Sequence, residues 1–174
     1  MRENLVRTLD EITDSTDRKA IKLCVLGVGS ELRGDDAVGL LIAENLIKKC
    51  ENDKCGISTK LQVLYGATAP ENFTGEIKRF APTHLIIIDA AEMGEKPGSI
   101  RVIKKDEING VPFSTHVLPL SVMVDYLSNS FNFETIVIGV EPKDMGFDHP
   151  VSNEINIAVS AVTDAIYTFS KKIT

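Results

Sequence analysis

No stretch of this chain comes near the roughly 20 consecutive apolar residues that a membrane-spanning helix needs. Its hydrophobic residues, 43% of 174, are therefore available to build a core. Basic charge is in deficit: 19 Lys and Arg stand against 25 Asp and Glu, for a net charge of -6. That balance argues against nucleic acid or an anionic membrane as the main partner. Cysteine is sparse as well, with Cys24, Cys50 and Cys55 making an odd count without Cys-x-x-Cys spacing. Cys24 lies in an apolar run and reads as core; Cys50 and Cys55 flank a polar loop and read as free thiols in a reducing cytoplasm. The opening Met-Arg-Glu-Asn-Leu-Val-Arg is too charged for a secretory signal. Repeats, low-complexity tracts and linkers are missing too. Together these absences lead us to expect one intracellular domain over residues 1–174, with residues 1–18 as a helical arm.

What is present alternates between two periods. Leu5, Leu9 and Ile12 follow a helical spacing in the arm. Ile21 to Val28 is then a near-continuous apolar run, the pattern of a strand covered on both faces. Val38, Leu41, Ile42 and Leu46 mark a helix from about Asp36 to Lys49. Leu61 to Tyr65 is a second strand, and Thr68, Pro70 and Glu71 form a capping-box pattern that opens a helix. Leu85 to Asp89 is the most apolar strand and should be central; Ser99 to Ile103, after the Pro97-Gly98 turn, alternates like an edge strand. A helical stripe over Leu118 to Tyr126, a strand over Thr135 to Val140 and a C-terminal helix carrying Ile155 to Phe169 complete the series. Strands alternating with helices predict an α/β fold: a three-layer α/β/α sandwich around a mostly parallel twisted sheet.

In an open α/β sheet, ligands bind beyond the carboxyl ends of the strands. Three separated stretches fall there: Gly34-Asp35-Asp36 after the first strand, Asp89 closing the central strand, and Ser114-Thr115-His116 in a later loop. Two carboxylates and an imidazole form a metal-binding or acid/base set. Each has a plainer reading. Asp35 can cap the helix and Asp36 complement its dipole, although a loop needs only one capping side chain. Asp89 follows consecutive apolar residues, where an unpartnered carboxylate is expensive to bury; accepting backbone N–H bonds is its structural alternative. His116 can be a cap or a surface group, His149 can line the same crevice, and His84 lies at the opposite end of the central strand and reads as structural. Gly27-Val28-Gly29 suggests a dinucleotide fingerprint, but Leu32 stands where the third glycine belongs, so a tight turn is the better reading.

These residues also carry a resemblance. Gly27-Val28-Gly29-Ser30 through Gly34-Asp35-Asp36-Ala37-Val38-Gly39, then Ala69-Pro70-Glu71-Asn72, Pro82 to Ala90, Met93-Gly94 with Pro97-Gly98-Ser99-Ile100, Thr115-His116 and Gly139-Val140-Glu141-Pro142 are similar to the hydrogenase maturation proteases. The type that processes hydrogenase 3, the formate-hydrogenlyase enzyme, is the nearest match in pattern, over roughly residues 21 to 170. The resemblance implies a nickel-dependent endopeptidase, grouped with aspartic-type peptidases, that removes a C-terminal extension from the large-subunit precursor of a [NiFe] hydrogenase. It implies Asp36, Asp89 and His116 as metal-contacting residues, with Asp36 and Asp89 as the catalytic carboxylates. Ser30 departs from the family's usual Asn after the Gly-x-Gly turn, and a hydroxyl can make a similar local bond to the backbone. Three ligands leave positions open, so nickel is expected to arrive with the substrate, and other divalent ions can substitute. Two alternatives remain: a serine hydrolase using Ser30, His116 and Asp89, although the Gly-x-Ser-x-Gly elbow is absent, and a nickel-checking factor that docks without cutting. A cytoplasmic monomer is expected.

Overall fold

The computed structural model describes residues 2–14, 16–52, 60–103, 107–113, 120–129 and 132–173. Within them the near-continuous apolar runs become strands buried on both faces, β1 (Leu23–Val28) and β3 (His84–Ala90), every residue of which is buried. Three further strands, β2 (Leu61–Ala67), β4 (Ile100–Ile103) and β5 (Glu134–Val140), complete a five-stranded sheet of order β2-β1-β3-β5-β4. All pairings are parallel except β4 with β5. The central position expected for Leu85 to Asp89 and the edge position expected for Ser99 to Ile103 are both observed. A register shift between Gly27 and Val28 against β2 marks the point where β1 leaves the sheet for the site.

Because successive strand residues point to opposite faces, each strand feeds two separate cores. Val25, Ile86, Ile88, Ile136 and Ile138 pack with helices α1 (Arg2–Thr13), α2 (Val38–Asn52) and α5 (Asn153–Ile173). Cys24, Leu26, Leu85, Ile87 and Val137 pack under α3 (Thr74–Phe80) and α4 (Leu120–Ser128). This is the expected three-layer α/β/α sandwich. The arm docks through Leu5 and Leu9, both buried, against α5. Among the described residues no helix is long and apolar enough to cross a membrane.

Two local expectations need correction. The helix after β1 does not begin at Asp36: Gly34–Ala37 form a 3-10 turn, and the α-helix proper starts at Val38. Likewise, Thr68 is not a helix cap. Pro70–Phe73 form a 3-10 turn whose N-cap is Ala69, with no side-chain cap bond, and α3 follows from Thr74. A 3-10 turn satisfies its own terminal groups through tighter bonds, so a capping-box sequence can stand there without its side-chain bonds forming. Cys24 and Cys50 are buried, and burial pushes the Cys24 thiol up to about 12. Cys55 lies outside the described residues.

Candidate active site at the carboxyl edge of the sheet

The site begins with close backbone packing. A Cβ on Gly39 would lie 2.3 Å from the carbonyl oxygens of both Ile88 and Val28. The first turn of α2 therefore presses directly on the ends of β1 and β3, and only a residue without a side chain permits it. At Gly29, with φ 139°, a Cβ would lie 1.8 Å from the Asp36 carbonyl oxygen. Gly29 thus serves a tight turn at the strand end that seats Asp36, while Gly27, still within β1, lets α2 approach through Gly39 and Ala43. Ser30 completes the turn, its hydroxyl oxygen accepting a bond from Leu32 N at 3.3 Å.

The two adjacent aspartates have different surroundings. Asp35 is fully buried, and its carboxylate does not cap its own helix. Its Oδ2 accepts from Lys143 N at 2.8 Å, Asp144 N at 3.0 Å and the Ser152 hydroxyl at 3.0 Å, while Oδ1 accepts from Ser152 N at 2.7 Å. Asp35 N in turn donates to the Asp144 carbonyl at 2.9 Å. Asp35 is thus the clamp that fixes the loop between β5 and α5 onto the turn after β1. Asp36, 3% exposed, has a buried Oδ1 with no hydrogen-bond partner among the described residues. An orphaned carboxylate oxygen in that position is costly unless something else supplies the missing interaction.

Asp89 closes β3 and is fully buried; its Oδ1 accepts from Ala90 N at 2.8 Å. The turn holding Asp36 packs on β3, so both carboxylates stand at the carboxyl edge of the sheet. The loop leaving Asp89 is ordered by a residue that motif reading did not weigh. Glu141, 8% exposed, accepts from Met93 N at 2.7 Å and Glu95 N at 3.1 Å through one carboxylate oxygen. The signal was present in the chain, since Glu141 closes the apolar strand β5 just as Asp89 closes β3. A crevice of about 460 Å³ opens between these loops, with Glu92, Pro112, Glu141, Lys143 and Asp144 on its walls.

Histidines fall in three different settings. His116 lies outside the described residues, as do Ser114 and Thr115. His149 is on the β5–α5 loop, its Nδ1 2.6 Å from Asp144 Oδ2. The Asp144 carboxyl is held below its ordinary range by the Gly146 backbone N–H first and by His149 second. His84 is buried at the amino end of β3 with Nδ1 2.8 Å from the Thr83 hydroxyl, and burial lowers its pKa. Its structural reading stands. Among the described residues, no group of three or more His, Cys, Asp or Glu side chains is arranged to hold a metal ion. Asp36 and Asp89 would need a further ligand from elsewhere.

The fold and its candidate site are thus an open α/β sheet with a clamped turn and two buried carboxylates at its carboxyl edge. The family described as "Hydrogenase maturation protease" matches residues 41–168. The chain is 37% identical over 141 residues to the hydrogenase 3 maturation protease of Escherichia coli K12, covering 79% of this chain and 84% of that protein. The solution structure of the endopeptidase HycI from Escherichia coli superposes with a TM-score of 0.72 at 34% identity, covering 86% of this chain and 92% of that one. A [NiFe] hydrogenase maturation protease, HycI from Thermococcus kodakarensis, shares the fold with a TM-score of 0.80 at 24% identity, over 94% of this chain and 99% of the other. The chain belongs to the hydrogenase maturation protease family.

Proposed function

We propose that this protein is a nickel-dependent endopeptidase that removes the C-terminal extension from the large-subunit precursor of a [NiFe] hydrogenase. The observation that carries this reading is the orphaned Oδ1 of Asp36. A buried carboxylate oxygen without a donor suits a cation or a polarised group brought in by a substrate. Asp89, at the neighbouring strand end, is the second carboxylate, and His116 is the third group assigned to the same ion. Carboxylate and imidazole donors suit a borderline divalent ion such as nickel. Two carboxylates and one imidazole leave coordination positions open, so the ion belongs to the precursor, and the protease reads it in place.

On this reading Asp35 and Glu141 hold the geometry while Asp36, Asp89 and His116 engage the nickel of the substrate and set the scissile peptide in register. Positioning of this kind converts a slow hydrolysis into an effectively intramolecular one. The aspartic-type character rests on Asp36 and Asp89, although no Asp-Thr-Gly signature is present. The protease works as a checkpoint: the extension leaves only once nickel has been inserted.

The test is incubation with nickel-loaded and nickel-free large-subunit precursors, reading product mass. Cleavage of the loaded form alone is expected, and it should persist after the protease has been stripped of metal. Efficient cutting of the nickel-free precursor would overturn the checkpoint. Binding of the loaded precursor without release of a peptide would favour the docking factor instead.

A further inference from the structure

Two large apolar side chains stand in water beside the Asp36 turn, and the fold holds them there. Leu32 is 61% exposed and Phe147 is 73% exposed. They are 115 positions apart by number (147 minus 32), yet the hydrogen bond from Asp148 N to the Leu32 carbonyl, 2.8 Å, makes their segments neighbours. Single exposed hydrophobics need no explanation. Two that the fold brings onto neighbouring segments, in the loops joined to the Asp35 clamp, are a different observation.

The loops that carry them are pinned from several directions. Asp35 clamps Lys143, Asp144 and Ser152, and Arg33 Nε donates to the Met145 carbonyl at 3.4 Å. The Gly146 N–H donates to Asp144 at 2.8 Å. Asp148, the residue directly after Phe147, holds φ 59°, in the left-handed region that aspartate enters more readily than most non-glycine residues.

We infer that Leu32 and Phe147 form the docking surface by which the protease grips an apolar patch of the nickel-loaded large-subunit precursor next to the scissile segment. This rests on the endopeptidase reading above. Leu32 lies four positions before Asp36 in the same β1–α2 connection, which places its exposed side chain close in the chain to the candidate site. The two side chains together expose on the order of 250 Å², far less than the roughly 800 Å² per partner of a stable interface. That area suits a substrate that docks, is cut and leaves, and it is too small to hold a second copy of this chain. Pinned loops also lose little freedom on binding, so a small patch can contribute measurable affinity.

The test compares the parent with Leu32→Ser, Phe147→Ser and the double variant. Equilibrium binding of nickel-loaded precursor, cleavage kinetics and thermal unfolding are measured for each. The expected result is a rise in Kd and KM of about tenfold for each substitution, as for truncated interface anchors, with unfolding temperatures unchanged because both side chains face water. Precursor binding by the double variant equal to the parent's would overturn the inference. So would failure of the parent to bind the loaded precursor, or a loss confined to kcat. Sedimentation showing that the double variant has lost a parent dimer, with precursor binding intact, would assign the surface to a second copy and also overturn it. A parent that binds the loaded precursor but never cuts it refutes the endopeptidase reading alone, and the binding comparison still decides the surface.

Discussion

Replacing each of the adjacent aspartates with asparagine should separate stability from activity. In Asp35→Asn the amide must put its NH2 where one oxygen stood. If it replaces Oδ2, the N–H groups of Lys143 and Asp144 lose their acceptor; if it replaces Oδ1, only Ser152 N does. The second orientation is the less costly. It still leaves one buried donor unsatisfied, at about 1–3 kcal/mol, and converts the remaining charge-assisted bonds to neutral ones of roughly half the strength. The sum is about 2–4 kcal/mol, a large part of the roughly 5–15 kcal/mol that holds a domain together. Asp36→Asn removes a charge whose Oδ1 has no partner to lose, so stability should stay level or rise by about 1 kcal/mol. Urea titrations read both. With a slope of about 2 kcal/mol/M, the Asp35→Asn midpoint should fall by about 1–2 M while that of Asp36→Asn stays put. Precursor cleavage should be lost in Asp36→Asn and weakened in Asp35→Asn in proportion to how far the β5–α5 loop loosens. Equal destabilisation by the two substitutions would refute this division of labour.

Gly29→Ala should cost about 3 kcal/mol or more and reduce precursor cleavage by about 100-fold, because its Cβ would meet the Asp36 carbonyl at 1.8 Å; thermal unfolding and single-turnover cleavage check both. Asp89→Asn should leave the protein folded, since an amide oxygen can still accept the bond from Ala90 N, while cleavage is abolished; a folded and fully active variant would exclude Asp89 from the chemistry. Stability should fall as pH is lowered through the ordinary histidine value of 6.5. Burial lowers the pKa of folded His84 below that value, so the unfolded chain takes up a proton that the native state refuses, and the native state loses ground until the folded pKa is passed. His84→Leu should flatten that part of the profile, as followed by denaturant midpoints between pH 7 and 5.

Much of the molecule was legible from residue order alone. The all-apolar runs in β1 and β3 announce strands covered on both faces, because only a sheet sandwiched by helices has no face for polar residues. Asp89 stood out for the same reason: a carboxylate ending such a run has to be compensated. The turn after β1 was legible as a turn, and the Ser30 hydroxyl bonds within it as its chemistry suggested. Helix starts were less legible. Thr68-Ala69-Pro70-Glu71 has the letters of a capping box, but the chain takes a 3-10 turn there and the side-chain bonds never form.

Tertiary structure alone decided which of two identical side chains is the clamp and which is left bare. Asp35 and Asp36 are chemically equivalent in the chain, and both had a local role open to them at a helix start. The partners of Asp35, Lys143, Asp144 and Ser152, are more than a hundred residues away, and no local pattern encodes a bond closed only when the sheet stacks β1 two places from β5. The same closure sets Phe147 beside Leu32. Local periodicity determines which segments are strands and helices, because burial acts residue by residue. The environment of a carboxylate depends on which distant backbone amides arrive beside it, and only the assembled sheet settles that.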